Sequence, residues 1–206
     1  MTAAFDSASP PRRRLAVALV HHPVLDRQGA TVTSAVTNLD VHDLSRSAKT
    51  FGASDFFVVT PIEAQRTLVE TIVGHWTEGS SGQRIPSRAD ALAGVRVVAS
   101  VDAALDALGG RANVEMWATA ARSDAGNVPM FATDGEARAR MRADDPRAVL
   151  ILFGTSWGLT PGLVESCDAR LPPIVGVVTE PGAAPYNHLS VRAACAITLD
   201  RLQSER

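Results

Sequence analysis

The sequence predicts an α/β protein: a mostly parallel sheet with helices on both faces. Two observations carry this. Short β-prone runs alternate with helical stretches from one end of the chain to the other. Leu15 to Val20 is continuously β-prone and apolar rather than alternating, as in a strand buried on both sides. The 206 residues, 46% hydrophobic and 20% charged, suit one globular domain. A chain of this length buries about 70% of its unfolded surface and needs no staples.

Taken in order, Leu15 to Val20 is the first strand and residues 21 to 37 are polar and turn-rich. Asp40 to Thr50 reads as a helix with Val41, Leu44, Ala48 and Phe51 on one face, closed by Gly52 as a left-handed cap. Asp55 to Thr60 is the second strand. Thr60-Pro61-Ile62-Glu63 reads as a capping box opening a helix to about Trp76, and "TEGSSGQRIPSR" as a loop. Val95 to Ala99 is a strand, and Ser100 caps a short helix that ends at Gly109-Gly110. Val114 to Thr119 is the next strand. Thr133 and Glu136 cap a helix to about Ala143, and Ala148 to Phe153 is the fifth strand. Thr160-Pro161 starts a short helix. Val191 to Leu202 is the last helix, with Val191, Ala194, Cys195, Thr198 and Leu202 as its stripe.

The formal net charge of -2 and pI near 6.2 show no global basicity, which leaves room only for a local basic patch. Cys167 and Cys195 form no CxxC pair, so a reducing, cytoplasmic setting is the default. No apolar stretch is long enough to span a bilayer. Residues 1 to 14, ending in Arg12-Arg13-Arg14, lack the order of a signal peptide and read as a disordered tail before a domain of residues 15 to 206. His21, His22 and His42 show neither HxxxH nor HExxH spacing, so no metal is expected.

Three strands end in loops of small residues, where a ligand reaches backbone groups. One begins at Thr119-Ala120. A second is Phe153-Gly154-Thr155-Ser156-Trp157-Gly158, within "LILFGTSWGLTPG". The third holds Leu171, Ile174 and Gly176, extended by Asn187, His188, Leu189 and Ser190. Each also reads as a tight turn. There is no GxGxxG after the first strand and no GxxxxGK[ST], so a polyphosphate is not the obvious ligand.

"LILFGTSWGL" resembles the second signature of the SPOUT superfamily of methyltransferases, an apolar strand followed by FG and then GL. "LDVHDLSRSAKTFGASDFFVVTP" resembles the first, N-x-G-x-I-x-R-T-A-x-x-F-G. "LPPIVG" with "YNHLSVRAACAITL" resembles the third. The signatures run in family order over residues 15 to 203. The match is strongest to a subgroup sometimes fused to a tRNA guanine-N1 methyltransferase. The resemblance implies a C-terminal trefoil knot, S-adenosylmethionine held by backbone atoms of the three loops, an RNA substrate (tRNA or rRNA), and a homodimer whose partner completes the site.

It also implies that Arg46 takes the place of the family arginine that activates the acceptor; a surface pair with Asp43 is the plainer reading. Asp40 and His188 stand where the ribose-methylating branch has asparagine. Asp40 reads either as a proton acceptor or as the N-cap of its helix. His188 reads as a general base or as a hydrogen-bonding loop residue. Trp157 either walls the pocket or packs on the last helix. The acceptor, ribose 2′-oxygen or base nitrogen, stays open. So do a non-catalytic partner of another methyltransferase and an unrelated doubly wound nucleotide binder.

Overall fold

The computed structural model describes residues 13–122, 125–178, 180, 182 and 184–204. In chain order these form β1 (Leu15–Val20), β2 (Val24–Leu25), β3 (Thr31–Val32), α1 (Asn38–Thr50), β4 (Asp55–Val59) and α2 (Glu63–Thr77). Then follow α3 (Ser80–Arg84), α4 (Pro86–Leu92), β5 (Val95–Val98), α5 (Val101–Ala107) and β6 (Val114–Ala118). The last are α6 (Asp134–Met141), β7 (Ala148–Gly154), α7 (Pro161–Glu165), β8 (Ala169–Arg170) and α8 (Val191–Gln203).

Six strands make one parallel sheet in the order β5-β4-β1-β7-β6-β8. The strand pleat sorts the core. Leu15, Val17, Leu19, Val149, Ile151 and Phe153 face one layer, where α1, α2, α4, α6 and α8 supply Leu44, Val69, Leu92, Met141 and Leu199. Ala16, Ala18, Val20, Leu150 and Leu152 face the other, where α5 and α7 supply Leu105 and Val164. Both faces of the central strands are thus covered, and this is why their sequence is apolar at every position. No helix of the described residues is long and apolar enough to cross a membrane.

Several expectations are corrected. The polar segment 21 to 37 contains the hairpin β2-β3, and "TEGSSGQRIPSR" contains α3 and the start of α4. Pro86 is tolerated there because it sits in a first helical turn, where its missing N–H goes unused. The residue before α2 is Ile62 with no side-chain cap, so Thr60 and Glu63 form no capping box; the Thr60 hydroxyl faces the Ile62 N–H instead. α8 buries Cys195, Leu199 and Leu202, rotating the expected stripe toward Leu199. Gly52, at φ 77°, ends α1 in the left-handed region as expected.

The boundary expected at Leu15 falls inside the fold. Arg13 is buried, its Nη1 2.8 Å from Glu115 Oε2, and Arg14 Nη2 lies 2.6 Å from Asp55 Oδ2. Residues 1 to 12, with Arg12, lie outside the described residues. Glu115 is the hub of a network beneath the sheet. Arg140 grips it through Nε (3.0 Å) and Nη2 (2.8 Å), and Trp117 Nε1 donates to it at 3.0 Å. Arg140 and Arg147 also donate to Asp145 at 3.0 and 2.8 Å. The hydrogen bonds from Arg140, Trp117 and Arg13 hold the Glu115 carboxyl below its ordinary range although burial opposes this.

Glu115→Leu leaves the buried Arg13 without its counter-charge. The expected loss is about 3 kcal/mol or more, the cost of breaking one side of a buried pair. Urea unfolding at pH 7 measures it; a loss below about 1 kcal/mol means the network is dispensable.

Candidate active site

The C-terminal end of β1 fixes the geometry. The His21 N–H donates to Val59 O at 2.9 Å, and the Thr155 N–H donates to Val20 O at 3.2 Å, so three strand ends meet there. The Thr155 hydroxyl donates to the same Val20 oxygen at 3.0 Å. It therefore accepts from Ser34 Oγ, and Ser34 in turn lies 2.9 Å from His21 Nδ1. This order assigns the His21 proton to Nδ1 and leaves Nε2 as a buried acceptor with no partner among the described residues. His21 is wholly buried, and that burial pulls its pKa down to about 4 against the raising effect of Asp40. The imidazole is neutral at pH 7. In the sequence His21 stood out only as a metal candidate; a buried relay leaves no spacing to read.

The next loop answers why Gly154 is small. A Cβ there would stand 2.6 Å from Leu159 N and 2.9 Å from Gly158 C. The loop folds onto its own backbone at this residue. Gly158, at φ 101°, completes the turn. The hairpin clamps it from outside: Trp157 N–H donates to Leu25 O at 3.1 Å and Leu25 N–H to Gly158 O at 2.9 Å. The Trp157 indole is 58% exposed, so it does not pack into the core under α8. Phe153 is a core side chain and Thr155 is buried in the relay, so both offer a ligand backbone only.

Thr119 spends its N–H and hydroxyl on Leu152 O, at 3.1 and 2.8 Å, and Ala120 follows half-exposed. Leu171 is a core residue whose N–H donates to Ala118 O at 2.9 Å. Beyond it Gly176 N–H donates to Asn187 Oδ1 at 2.6 Å, and a Cβ on Gly176 would lie 2.5 Å from Tyr186 O. Two stretches of the third loop are therefore pinned side by side. His188 is exposed against the Tyr186 ring, centroids 5.0 Å apart, and Leu189 is 48% exposed. Ser190 caps α8 by accepting from Ala193 N–H at 3.2 Å. Apart from the Gly176 bond, residues 172–178 and 184–189 make no backbone hydrogen bond to the described residues. Half-buried groups such as those of Ile174 and Gly176 need partners, and a ligand gripped by main chain supplies them. The loops fit such a cofactor.

Asp40 is not the N-cap of α1. Thr37 is, accepting from Asp40 N–H at 3.3 Å. Asp40 sits in the first turn, where the helix dipole favours a carboxylate. Its Oδ2 accepts from the Thr37 hydroxyl at 2.7 Å and its Oδ1 from Arg192 Nη1 at 3.0 Å. Arg192 also reaches Asp43 at 3.5 Å, so α1 and α8 are tied at their first turns. Asp43 is thereby taken, and Arg46 makes no ion pair with it or with any other described residue. Arg46 is exposed, about 9 Å along α1 from Asp40 at 1.5 Å per residue. The structure thus unites the loops, Asp40, Ser190 and Asn187 at the sheet's carboxyl end, and sets Arg46 further down α1.

A cleft of about 640 Å3 opens on the opposite layer, between His22-Pro23, Val101, Leu105, Met116 and Leu163. None of the sequence-derived site residues lines it, and its walls are mainly apolar. The carboxyl-end loops, with their unspent backbone groups, are the better site for a polar cofactor.

Comparison with known proteins gives the family. A family model described as SAM-dependent RNA methyltransferase matches residues 14–204. A tRNA (guanine-N(1)-)-methyltransferase of Nitratidesulfovibrio vulgaris is 41% identical over 197 residues, covering 95% of this chain and 43% of that protein. The chain therefore spans less than half of that relative. An uncharacterized protein of Aquifex aeolicus is 32% identical over 191 residues, covering 91% of this chain and 87% of its own. The crystal structure of a probable methyltransferase from Bordetella pertussis Tohama I shares the fold, with TM-score 0.59 at 20% identity over 93% of this chain and 95% of that one.

The His21 relay sets a pH dependence. Below pH 6.5 the unfolded chain protonates this histidine while the native one resists until about pH 4. Stability therefore falls as pH drops through that window, by up to about 3 kcal/mol at its lower end. Urea titrations of wild type and His21→Asn between pH 7 and 4 should differ in slope by close to one proton. Equal slopes would show that His21 is not held neutral.

Proposed function

Because the chain belongs to the SAM-dependent RNA methyltransferase family, we propose that it moves a methyl group from S-adenosylmethionine to RNA. The observation that carries this is the third loop: main chain held open by the Gly176–Asn187 bond, beside the ends of β6 and β7. Backbone of Thr119, Ala120, Phe153 to Gly158, Leu171 to Gly176 and Asn187 to Ser190 holds the cofactor. In this reading the C-terminal segment threads a trefoil knot. When bound, the cofactor supplies a methyl group activated by its sulfonium.

Arg46 orients the acceptor. Its guanidinium, without an ion pair among the described residues, stabilises negative charge developing on oxygen or grips the adjoining phosphate in a fork. His188 takes up the proton. Asp40, with both oxygens occupied, positions α1 against α8. The acceptor atom is ribose oxygen or base nitrogen, and the RNA is tRNA, the substrate named for the Nitratidesulfovibrio relative. That relative's extra length favours a second reading: a cofactor- or RNA-binding module serving a separate methyltransferase. The cytoplasm is the setting for either.

The site is shared between two copies. Leu39 lies seven residues before Arg46, hence on the same helix face, and is 61% exposed. With Val177 (82%), Tyr186 (78%) and Leu189 (48%) it forms an exposed apolar set near the first turns of α1 and α8. A second copy covers it and brings its third loop to Arg46.

Sedimentation should show a dimer at micromolar concentration, and Leu39→Glu should shift it to monomer. A wild-type monomer throughout that range removes the shared site. Arg46→Lys and Arg46→Ala should bind S-adenosylmethionine normally by calorimetry. Both should lose transfer of labelled methyl to tRNA by about 100-fold, since orientation and charge stabilisation are forfeited together. A fully active lysine variant overturns the role given to Arg46. Loss of cofactor binding by the wild type overturns the whole reading.

A further inference from the structure

The end of α2 folds back on itself in a way the cofactor site does not require. A Cβ on Gly79 or Gly82 would run into the carbonyls of His75 and Trp76, so glycine is what lets α3 turn back against α2. α4 then returns beside α1, where Lys49 Nζ meets Asp90 Oδ1 at 3.0 Å. At the junction stands Trp76. The Arg88 guanidinium lies over its ring, 4.9 Å from the centroid. His42 and His75 meet it edge-on, each at 5.6 Å. His75 Nε2 is 3.0 Å from Ser81 Oγ, and Arg84 Nη2 is 3.4 Å from the same hydroxyl. One turn beyond His42 on α1 comes Arg46.

This cluster lacks counter-charge. Asp43 is drawn to Arg192 and Asp90 to Lys49. Arg46, Arg84 and Arg88 make no ion pair among the described residues, whereas Arg13, Arg140, Arg147 and Arg192 all meet carboxylates. Burial and then the charge of Arg88 hold His42 below its ordinary pKa, with Arg46 and His75 adding to the effect and Asp43 opposing it. Guanidinium groups crowded together, with one plane fixed on an indole, match a run of phosphates better than any single anion.

We propose that Trp76 and the side chains around it, Arg88, Arg84, His42 and His75, form a platform that grips the phosphate backbone of RNA and leads it to Arg46. This rests on the reading of RNA as substrate and adds the surface that binds it. Trp76 sets the plane of Arg88 and keeps the two imidazoles beside it. The patch lies on the flank of Arg46 that α4 borders, and Arg192 ties the other flank of α1 to α8. A chain with net charge -2 gains in this way a local cationic track without global basicity.

The test is fluorescence anisotropy of labelled, unmodified tRNA transcripts against the full chain at several salt concentrations. Arg84→Gln with Arg88→Gln should weaken binding about 10-fold at 0.1 M salt. It should also lower the slope of log K against log salt by about one to two, one per lost phosphate contact. Cofactor affinity should stay unchanged. Arg201→Gln, the loss of one charge near the far end of α8, should bind tRNA as wild type does. Trp76→Leu, checked by its melting curve, should weaken binding in the same direction because Arg88 loses its seat. Wild-type affinity and slope in the double variant overturn the platform even if methyl transfer is intact, and so does a wild-type protein that binds no tRNA. Wild-type binding without methyl transfer, lost in the double variant, supports the platform while counting against the enzyme.

Discussion

Everything at the carboxyl end of the sheet depends on how β1 leaves it. The strand is bonded to β4 on one edge and β7 on the other along its whole length, so its last carbonyl and the next N–H are claimed by neighbours on both sides. His21 then has nowhere to place its side chain except inside. The relay through Ser34 to Thr155 satisfies one imidazole nitrogen and fastens three things at once: the end of the hairpin segment, the approach to α1 and the glycine-rich loop after β7. A buried polar chain of this kind is stable only when its members point the same way, and here a single proton order satisfies every hydroxyl.

The parts of this architecture that repeat over several residues were legible in the sequence. β1 and β7 are continuous apolar runs, Ser100 caps its helix, and Thr133 caps with Glu136 three positions on. Elements of two residues, such as β8, carry no period to detect, and α3 is short and built of residues that usually mark loops. Thr37 and Asp40 are both good caps three apart, and propensity alone cannot choose between them; the structure gives the cap to Thr37 and the charge to the first turn. At the site, the three loops were visible because small residues are conspicuous. The reason for Gly154 was not, since it answers to the backbone of Leu159, five residues on. His21 and the surroundings of Trp76 were invisible because their partners come from distant segments.

The Asp40–Arg192 pair shows what one departure from the ribose-methylating pattern does in the fold. A carboxylate in the first turn of α1 is favoured by the helix dipole, whereas a guanidinium in the first turn of α8 is not. Arg192 is held there by carboxylates from α1, at 3.0 and 3.5 Å. The pair joins the helix that carries Arg46 to the helix capped by Ser190 at the end of the third loop. Its worth therefore lies in register as much as in energy, since half-exposed pairs contribute little on their own.

The two ends of the sheet are consequently unlike. Beneath the strands' amino ends, Glu115 and Asp145 absorb three guanidinium groups, of which Arg13 is buried and Arg140 and Arg147 are partly exposed. Above their carboxyl ends, apart from the Gly176 N–H, main-chain groups of residues 172–178 and 184–189 make no backbone hydrogen bond among the described residues, His21 Nε2 has no partner among them, and Arg46 makes no ion pair with them. A ligand that pairs such groups gains more by binding there than it would at a satisfied surface. A domain built wholly like its lower end would be more stable and would hold nothing. One built wholly like its upper end would lack the rigidity to keep the loops apart. The parallel sheet allows both, because its strands put all their exits on one side and all their entries on the other.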